Sequence, residues 1–417
     1  MKTGIDMERR DILRWSGAAG TALLLNSCGG GGSTALGAGG GETDEPIARN
    51  WAELTPANQA ATFRNADRLG PTRSIPKGSS VLELPAHPRS LIALNYDYAG
   101  RRTSPQDYMA RHRGAGLLIL KGGTVALELY GMGNQPTSRW TSFSVAKSLT
   151  STLVGAALSS GALGGLDVNV QSLLPDFAGT AYGSNTLRQL LRMSSGIRWN
   201  EDYADPASDI GLMSEAILSN HTGAVRDFVR TRARAETPGT VWNYSTGETY
   251  VIGAALAAAT GKSLSQLASE AIWANIGMEA DGYWLLDAAG GLELGGAAFS
   301  ATLRDYARLG LFVLREGVVG AGRSLPAGWR DLAGRPDTAL TQPGSLIDGY
   351  PLGYGYQWWS LPSSTAFTAQ GIFGQFLYVD PAEDLVGVVW SAWLTPNDGD
   401  AELETYALMA AAAAALA

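Results

Sequence analysis

The order of strand-like and helical segments constrains the fold of this chain more than any other feature. In chain order the sequence predicts a β-hairpin (117–130), a buried helix (144–158), a mainly helical stretch (185–309), three strands (354–360, 374–379 and 385–393) and a terminal helix (406–417). Because strands lie on both sides of a helical middle, we expect one mixed α/β (α+β) domain whose sheet is interrupted in sequence by a helical lobe, spanning residues 160–300 approximately.

Composition narrows the class of partner. The chain has 417 residues, is 45% apolar and carries a net charge of −8, without a Lys/Arg block beyond its first residues. These values disfavour nucleic acids and anionic membrane surfaces as partners and favour small molecules or peptides. The only cysteine is Cys28, and the three histidines, His87, His112 and His221, have no metal-ligand spacing. We therefore expect no disulfide, metal or cofactor, and no Ser-His-Asp triad.

The N-terminus has the layout of an export signal. Arg9-Arg10 precedes an apolar run over residues 15–25 that is too short to span a bilayer. The run ends at Leu25-Asn26-Ser27-Cys28, which is similar to a bacterial lipobox. We predict a twin-arginine signal over residues 1–27, lipidation of Cys28, a Gly/Ser-rich tether over 28–47 and the folded domain over 48–417. The protein would then be extracytoplasmic, in the periplasm or cell envelope, with the lipid anchor as its only membrane contact.

The chemistry is predicted around Ser144 and Lys147. A bare Ser-x-x-Lys pattern is expected by chance on the order of 0.4 times in such a chain, and Ser74-Ile75-Pro76-Lys77 is a second occurrence with no helix after it. Ser144 instead opens a predicted helix, so its hydroxyl and the Lys147 amine share one face. Burial among apolar neighbours lowers a lysine pKa, which suits a general base activating a serine nucleophile.

Two further segments add candidate residues. Tyr244 precedes an apolar helical run and would relay a proton if neighbouring cations lower its pKa. Gly371 and Gly374 are closely spaced glycines, which let the backbone approach a ligand with a free N–H group.

Together with the sequences around these residues, the chain resembles the penicillin-recognising serine hydrolases, the superfamily of β-lactamases, D-alanyl-D-alanine peptidases and related esterases. The resemblance runs from about residue 51 to 417, and within the superfamily it is greatest to the 6-aminohexanoate-dimer hydrolases and their carboxylesterase relatives. The segments that carry it are Thr141–Ser148, Leu187–Ile197 ("LL-x-M-x-SG"), Glu201–Pro206, Gly295–Asp305 ("GG-x-x-S-x-x-D") and Gly371–Pro381.

The resemblance implies a central antiparallel sheet flanked by terminal helices, and a role for each matching residue. Ser144 would be the acyl acceptor, Lys147 its general base and Tyr244 the proton relay, with the N–H groups of Ser144 and Ile372 as oxyanion hole. Tyr203 would face the substrate from a mobile loop. Further substrate-binding positions would be Thr246, Gln370 and Gly371. The partner would be a small amide or ester substrate; no oligomeric state is predicted.

Two departures bear on the substrate. Thr246 replaces the family's usual asparagine, and Gln370-Gly371-Ile372 replaces the Lys-Thr-Gly with which β-lactamases hold a carboxylate. No glutamate is evident to activate a deacylating water, so the lysine and tyrosine would serve both half-reactions. A serine amidase or esterase is therefore the first expectation. A β-lactamase or D-alanyl-D-alanine carboxypeptidase, and a binding or sensor protein without turnover, are the alternatives.

Overall fold

The computed structural model describes residues 46–319, 322–347 and 349–417. The predicted export signal, Cys28 and nearly all of the predicted tether lie outside these residues. Within the described part of the chain, no helix is long and apolar enough to cross a membrane.

The described chain contains thirteen α-helices, most of them in its middle part. They are α1 (Gln59–Arg64), α2 (Pro105–Arg111), α3 (Val145–Ser159), α4 (Val170–Leu173), α5 (Leu187–Leu191), α6 (Asp209–Leu218), α7 (Ala224–Arg230), α8 (Thr246–Thr260), α9 (Leu264–Ala268), α10 (Ala274–Ile276), α11 (Leu303–Leu314), α12 (Trp329–Gly334) and α13 (Gly399–Leu416). A π-helical turn at Ser269–Trp273 joins α9 to α10, and short 3-10 turns lie at Trp51–Glu53, Ala66–Arg68, Pro175–Phe177 and Ala339–Thr341.

The strands are β1 (Thr72–Ile75), β2 (Tyr96–Tyr98), β3 (Arg101–Thr103), β4 (Gly114–Lys121), β5 (Thr124–Tyr130), β6 (Arg139–Thr141), β7 (Gly282–Leu285), β8 (Phe299–Thr302), β9 (Val318–Val319), β10 (Gly322–Arg323), β11 (Gly353–Tyr354), β12 (Trp359–Ser360), β13 (Phe367–Gly371), β14 (Gln375–Asp380) and β15 (Leu385–Ser391). The pairs β2–β3 and β9–β10 form two small hairpins.

A seven-stranded antiparallel sheet is the centre of the fold, in the order β11-β12-β13-β14-β15-β4-β5. Successive residues of β15 face opposite sides. On one face, Val386 packs against Gly310 of α11, and a Cβ added to Gly310 would lie 2.5 Å from the valine. On the other face, Gly387 packs against Met409 of α13, and a Cβ added to Gly387 would lie 2.4 Å from the sulfur. The two glycines thus let one helix pack closely on each face.

A second sheet holds the entry to the nucleophile helix. It has the order β1-β7-β8-β6, and Thr141 at the end of β6 pairs with Ser300 of β8. Buried apolar side chains join this sheet, α3, α8 and α11 into one core, while a second core lies between the large sheet and α13. The chain therefore has helices on both faces of the large sheet and a helical part beside it.

The structure confirms the mixed fold and the predicted antiparallel sheet, and it corrects several segments. The predicted hairpin is β4–β5, and the predicted helix at Ser144 is α3. The stretch 185–309, predicted to be mainly helical, also contains β7 and β8. The predicted strand at 354–360 is two short strands, and the terminal helix begins at Gly399 instead of Tyr406. Each missed strand is four residues or shorter, which is too short for an alternating pattern to show.

Candidate active site

Ser144 is placed by the junction between β6 and α3. The Ser142 N–H donates to the Phe299 carbonyl at 2.7 Å, and the Ser142 hydroxyl accepts from the Phe299 N–H at 3.1 Å. Phe143 then takes a left-handed backbone conformation, with φ of +43°, and Ser144 occupies the N-cap position of α3 without a capping hydrogen bond from its side chain. A bulky residue in this region is strained, and the surrounding contacts hold it there. The serine hydroxyl thus lies at a sharp strand-to-helix turn.

Lys147 lies one helical turn after Ser144 and is 1% exposed. Its Nζ donates to Ser144 Oγ, to Thr246 Oγ1 and to the Gly296 carbonyl, each at 2.9 Å. Burial lowers the pKa of Lys147 from 10.5 to about 8, and the charge of Glu201 acts in the opposite direction. A lysine with a pKa in this range has a substantial neutral fraction near neutral pH and can accept a proton from the serine.

Thr246, at the start of α8, connects the lysine to a carboxylate. Its hydroxyl accepts from Lys147 and donates to Glu201 Oε1, and its backbone N–H donates to Glu201 Oε2 at 3.0 Å. Thr246 stands where the resembling enzymes carry an asparagine. Its hydroxyl accepts one hydrogen bond and donates one.

Tyr244 lies beside the Ser144–Lys147 pair. Its loop is held by Met193, whose carbonyl accepts from the Asn243 N–H at 2.8 Å and whose sulfur accepts from the Ser245 N–H at 3.3 Å. The Lys147 Nζ lies 4.9 Å from the centroid of the Tyr244 ring. The methionine of the "LL-x-M-x-SG" segment thus positions the tyrosine.

The expectation that cations lower the pKa of Tyr244 is wrong. Burial raises this pKa, the negative charge of Glu201 adds to the effect, and the Ser144 hydroxyl only partly opposes it. Tyr244 is therefore a neutral phenol at ordinary pH, and it can donate a proton or pass one on, but it does not accumulate as a phenolate.

Glu201 is the residue that sequence reasoning missed. Besides its contacts with Thr246, its carboxylate accepts from the Trp199 indole and from the Tyr203 hydroxyl, the latter at 2.9 Å. Glu201 opens the segment Glu201–Pro206 that carries part of the family resemblance, but it lies in a loop without periodicity that would predict a role for it. Its position in that segment, two residues before Tyr203, is the signal that could have identified it.

Tyr203 is brought to the same place. Its side chain is half-buried, and burial, together with the charge of Glu201, raises its pKa well above 10. The Ser144 hydroxyl acts on it in the opposite direction, as it does on Tyr244. Two neutral phenols therefore face the serine, one from the loop that carries Glu201 and one from the start of α8.

The end of β13 runs alongside the start of α3. A Cβ on Gly371 would lie 2.5 Å from the Ser142 carbonyl oxygen and 3.1 Å from the Ser144 nitrogen, so only glycine fits there. Among the described residues, neither the Ser144 N–H nor the Ile372 N–H donates to another backbone carbonyl or to a side chain. Two N–H groups without protein acceptors next to the serine are what an oxyanion hole requires.

Gln370 is turned toward the terminal helix. Its Nε2 donates to Glu402 Oε1 at 3.2 Å and to the Tyr406 hydroxyl at 2.6 Å. The sequence placed Gln370 at the substrate, and the structure adds a carboxylate behind it. Across the described residues, no group of three or more His, Cys, Asp or Glu is arranged to hold a metal ion.

Comparison with known proteins identifies relatives of this chain. The chain is 30% identical over 367 residues to the 6-aminohexanoate-dimer hydrolase of Paenarthrobacter ureafaciens, covering 86% of this chain and 91% of that enzyme. A Bacillus anthracis protein assigned as a 6-aminohexanoate-dimer hydrolase has the same fold, with a TM-score of 0.76 at 21% identity, over 88% of this chain and 96% of that one. A penicillin-binding-protein homologue from Caulobacter crescentus has a TM-score of 0.58 at 16% identity, over 74% of this chain and 96% of that one.

The beta-lactamase family matches residues 104–412, a segment that contains Ser144, Lys147, Tyr244 and Ile372. The resemblance and the fold predicted from the sequence are thereby confirmed, whereas the roles of the individual residues stay predictions. With a family match over most of its length and a hydrolase relative at 30% identity, this chain belongs to the beta-lactamase family of serine hydrolases.

Proposed function

We propose that this protein cleaves amide or ester bonds of small molecules through an acyl-enzyme on Ser144. The observation that carries the proposal is Lys147. It is buried, it contacts Ser144 Oγ at 2.9 Å, and its pKa is lowered to about 8. A lysine that only filled space in a helix would keep its ammonium group in solvent.

Acylation starts when neutral Lys147 takes the proton of the Ser144 hydroxyl. The serine oxygen then attacks the substrate carbonyl, and the N–H groups of Ser144 and Ile372 stabilise the oxyanion. Tyr244 donates its proton to the leaving nitrogen or oxygen as the carbonyl bond to that atom breaks. The Lys147 ammonium returns a proton to Tyr244, so the site is again neutral at both groups.

Deacylation runs through the same groups with water as nucleophile. Water gives a proton to Lys147 and attacks the acyl carbonyl. The bond between that carbonyl and the Ser144 oxygen then breaks, the acid leaves, and Ser144 takes a proton back from Lys147. Glu201 contributes through Thr246, because its charge favours the protonated form of Lys147 and its carboxylate fixes the threonine hydroxyl. In this scheme Lys147 and Tyr244 serve both half-reactions.

The substrate class we propose is a linear amide of the kind named for the Paenarthrobacter ureafaciens relative, or a simple ester. Gln370 supports this choice because it gives the strand beside Ser144 no cation that would hold a substrate carboxylate. Cyclic β-lactams carry such a carboxylate next to the reacting ring, whereas the carboxylate of a linear 6-aminohexanoate dimer lies at the far end of its alkyl chain, away from the amide bond.

Steady-state and burst kinetics on three substrates test this function. We expect hydrolysis of 4-nitrophenyl butyrate and of a linear 6-aminohexanoate dimer, slow or no hydrolysis of a chromogenic cephalosporin, and loss of all turnover in Ser144→Ala. Fast cephalosporin hydrolysis would instead identify a β-lactamase. A stoichiometric burst without turnover on any substrate would identify a sensor that is acylated and stays so.

We also propose that the protein is exported through its twin-arginine signal and anchored by lipid at Cys28. The order of Arg9-Arg10, an apolar run, Cys28 and a glycine-rich segment supports this. Expression of the full chain in a bacterial host should place the protein in the membrane fraction, and Cys28→Ala should release it into the soluble extracytoplasmic fraction. Equal partitioning of the two forms would argue against the anchor.

A further inference from the structure

Glu402, on the first turn of α13, is a buried carboxylate without a cation. It is 9% exposed, and its Oε1 accepts from the Tyr406 hydroxyl at 3.0 Å, from the Tyr350 hydroxyl at 3.1 Å and from Gln370 Nε2 at 3.2 Å. No Lys, Arg or His of the described residues forms an ion pair with it. By contrast, the buried carboxylates of Glu293 and Glu404 each have an arginine partner.

Burial of an unpaired carboxylate is costly, because the charge loses its hydration and gains no counter-charge. Burial raises the pKa of Glu402, and the donors Tyr406, Tyr350 and Gln370 oppose the rise. Three donors directed at one oxygen are the arrangement expected around a carboxylate rather than around a neutral acid. The polar cluster therefore supplies three hydrogen-bond donors to Glu402 but no positive charge.

Gln370 connects this cluster to the reacting centre. The two bonds of its Nε2 fix the orientation of the amide, so the amide oxygen points away from Glu402. Among the described residues, that oxygen accepts no hydrogen bond, and the side chain is only half-buried. The next residue, Gly371, is the one that packs against the Ser144 nitrogen.

Aromatic rings line the same wall. Tyr244 stacks on Trp359 with ring centroids 5.7 Å apart, and Trp359 contacts Tyr350 edge-on at 5.5 Å. The wall thus runs from Tyr244 to Tyr350, whose hydroxyl donates to Glu402. Faces of such rings attract cations, and more strongly where water is excluded.

We propose that Gln370 and Glu402 form a subsite for a primary ammonium group of the substrate. The amide oxygen of Gln370 accepts a hydrogen bond from the ammonium, and Glu402 supplies the compensating charge behind it. The subsite rests on the proposed hydrolysis at Ser144 and assigns the residues that would hold the ammonium end of a linear amide or ester substrate.

Two substrate pairs test the subsite on the full-length enzyme. The first pair is the 4-nitroanilides of 6-aminohexanoate and of its N-acetyl derivative, with the ammonium in the acyl part. The second is the hexanoyl amides of 1,6-diaminohexane and of hexylamine, with the ammonium in the leaving part. The quantity compared is the preference, defined as the ratio of kcat/KM for the charged member to kcat/KM for the neutral one.

We expect the wild type to prefer the charged member of at least one pair, and Glu402→Gln and Gln370→Lys each to reduce that preference about tenfold or more, the effect of one charge-assisted hydrogen bond. The half-buried carboxylate of Glu383 provides the control, and Glu383→Gln should keep the wild-type preference. Gln370→Lys changes a half-buried side chain, so it remains informative if Glu402→Gln does not fold. A wild type without preference in both pairs, or variants with the wild-type preference, would overturn the subsite.

A binding measurement separates this subsite from the proposed function. Calorimetric titration of Ser144→Ala with hexylammonium chloride and with 1-hexanol requires no turnover. The subsite predicts tighter binding of hexylammonium, lost on adding Gln370→Lys, whereas equal binding of the two ligands contradicts it. Turnover of 4-nitrophenyl butyrate by the wild type, lost in Ser144→Ala, reports hydrolysis alone, so either idea can fail without the other.

Discussion

Lys147 has an acceptor for each of the three N–H groups of an ammonium, namely Ser144 Oγ, Thr246 Oγ1 and the Gly296 carbonyl. To act as a base it must lose one proton, and burial provides the driving force by lowering its pKa to about 8. Glu201 works against that loss through its negative charge. The basicity of the site is therefore a balance between one desolvated amine and one nearby carboxylate.

The pH dependence of kcat/KM should reflect this balance. Because neutral Lys147 is the active form, we expect activity to rise with pH through an apparent pKa of about 8. Glu201→Gln removes the charge that raises this pKa, so its acidic limb should move to lower pH. Asp202→Asn removes a neighbouring exposed charge and is the control. A limb that stays in place, or moves upward, in Glu201→Gln contradicts the assignment.

Replacing Lys147 measures how much this base contributes to the rate. Lys147→Met should lower kcat for 4-nitrophenyl butyrate by about 10²–10⁴, the usual contribution of a positioned acid–base group. Circular dichroism and the thermal midpoint of the variant show whether it still folds. A folded Lys147→Met enzyme with wild-type kcat would require another base.

At the residue scale, the sequence was informative where contacts are local. Ser144 and Lys147 are three positions apart at a helix start, so their contact follows from helix geometry. Glu201 and Gly296 were not identified, because they reach Thr246 and Lys147 across 45 and 149 residues of chain. The pKa direction of Tyr244 was also not predictable, since it depends on burial and on Glu201.

At the scale of elements, α13 is attached to α2 and the β2–β3 hairpin through Glu404. This carboxylate is fully buried, and it accepts from Arg111, from His112 Nε2 at 2.7 Å and from the Tyr96 hydroxyl at 2.9 Å. Although burial acts in the opposite direction, these donors hold the pKa of Glu404 at about 2, below its usual 4.5. One charged group thus ties the terminal helix to α2 and the hairpin, in addition to the apolar core between this helix and the large sheet.

Acid should weaken this attachment in a defined window. The stabilisation is complete above pH 4.5 and is lost as the pH falls toward about 2, since protonation then becomes as favourable in the folded as in the unfolded chain. Urea unfolding at pH 7 should show Glu404→Gln destabilised by about 3 kcal/mol relative to wild type, and at pH 2 the difference should be much smaller. Glu383→Gln, at the half-buried ion pair with Lys121, should change little. A difference that does not depend on pH would show that lost packing, not charge, is responsible.

Elements with strong local signals were predicted from the sequence, and short ones were not. The β4–β5 hairpin has a glycine turn between two apolar runs, and α3 has fifteen helical residues without a proline. The four-residue strands β7 and β8 lie between helices and pair with β1 and β6, which are far away in sequence. Only tertiary contacts reveal such strands.

On the scale of the whole molecule, the reacting centre lies where segments from both sheets and the helical part meet. Ser144 follows a strand of the small sheet, Gly371 ends a strand of the large sheet, and Tyr244 and Glu201 come from the loops beside α8. The fold class could be predicted because the order of the segments and the family resemblance agreed. The walls of the site could not, since Glu402 approaches Gln370 from the last helix.

The most direct test of the central claim is the mass of the enzyme after reaction with a fluorophosphonate. The account predicts one adduct per chain, located at Ser144 by peptide mapping, absent in Ser144→Ala and formed much more slowly in Lys147→Met. An adduct on another residue, or equal labelling of wild type and Ser144→Ala, would contradict it.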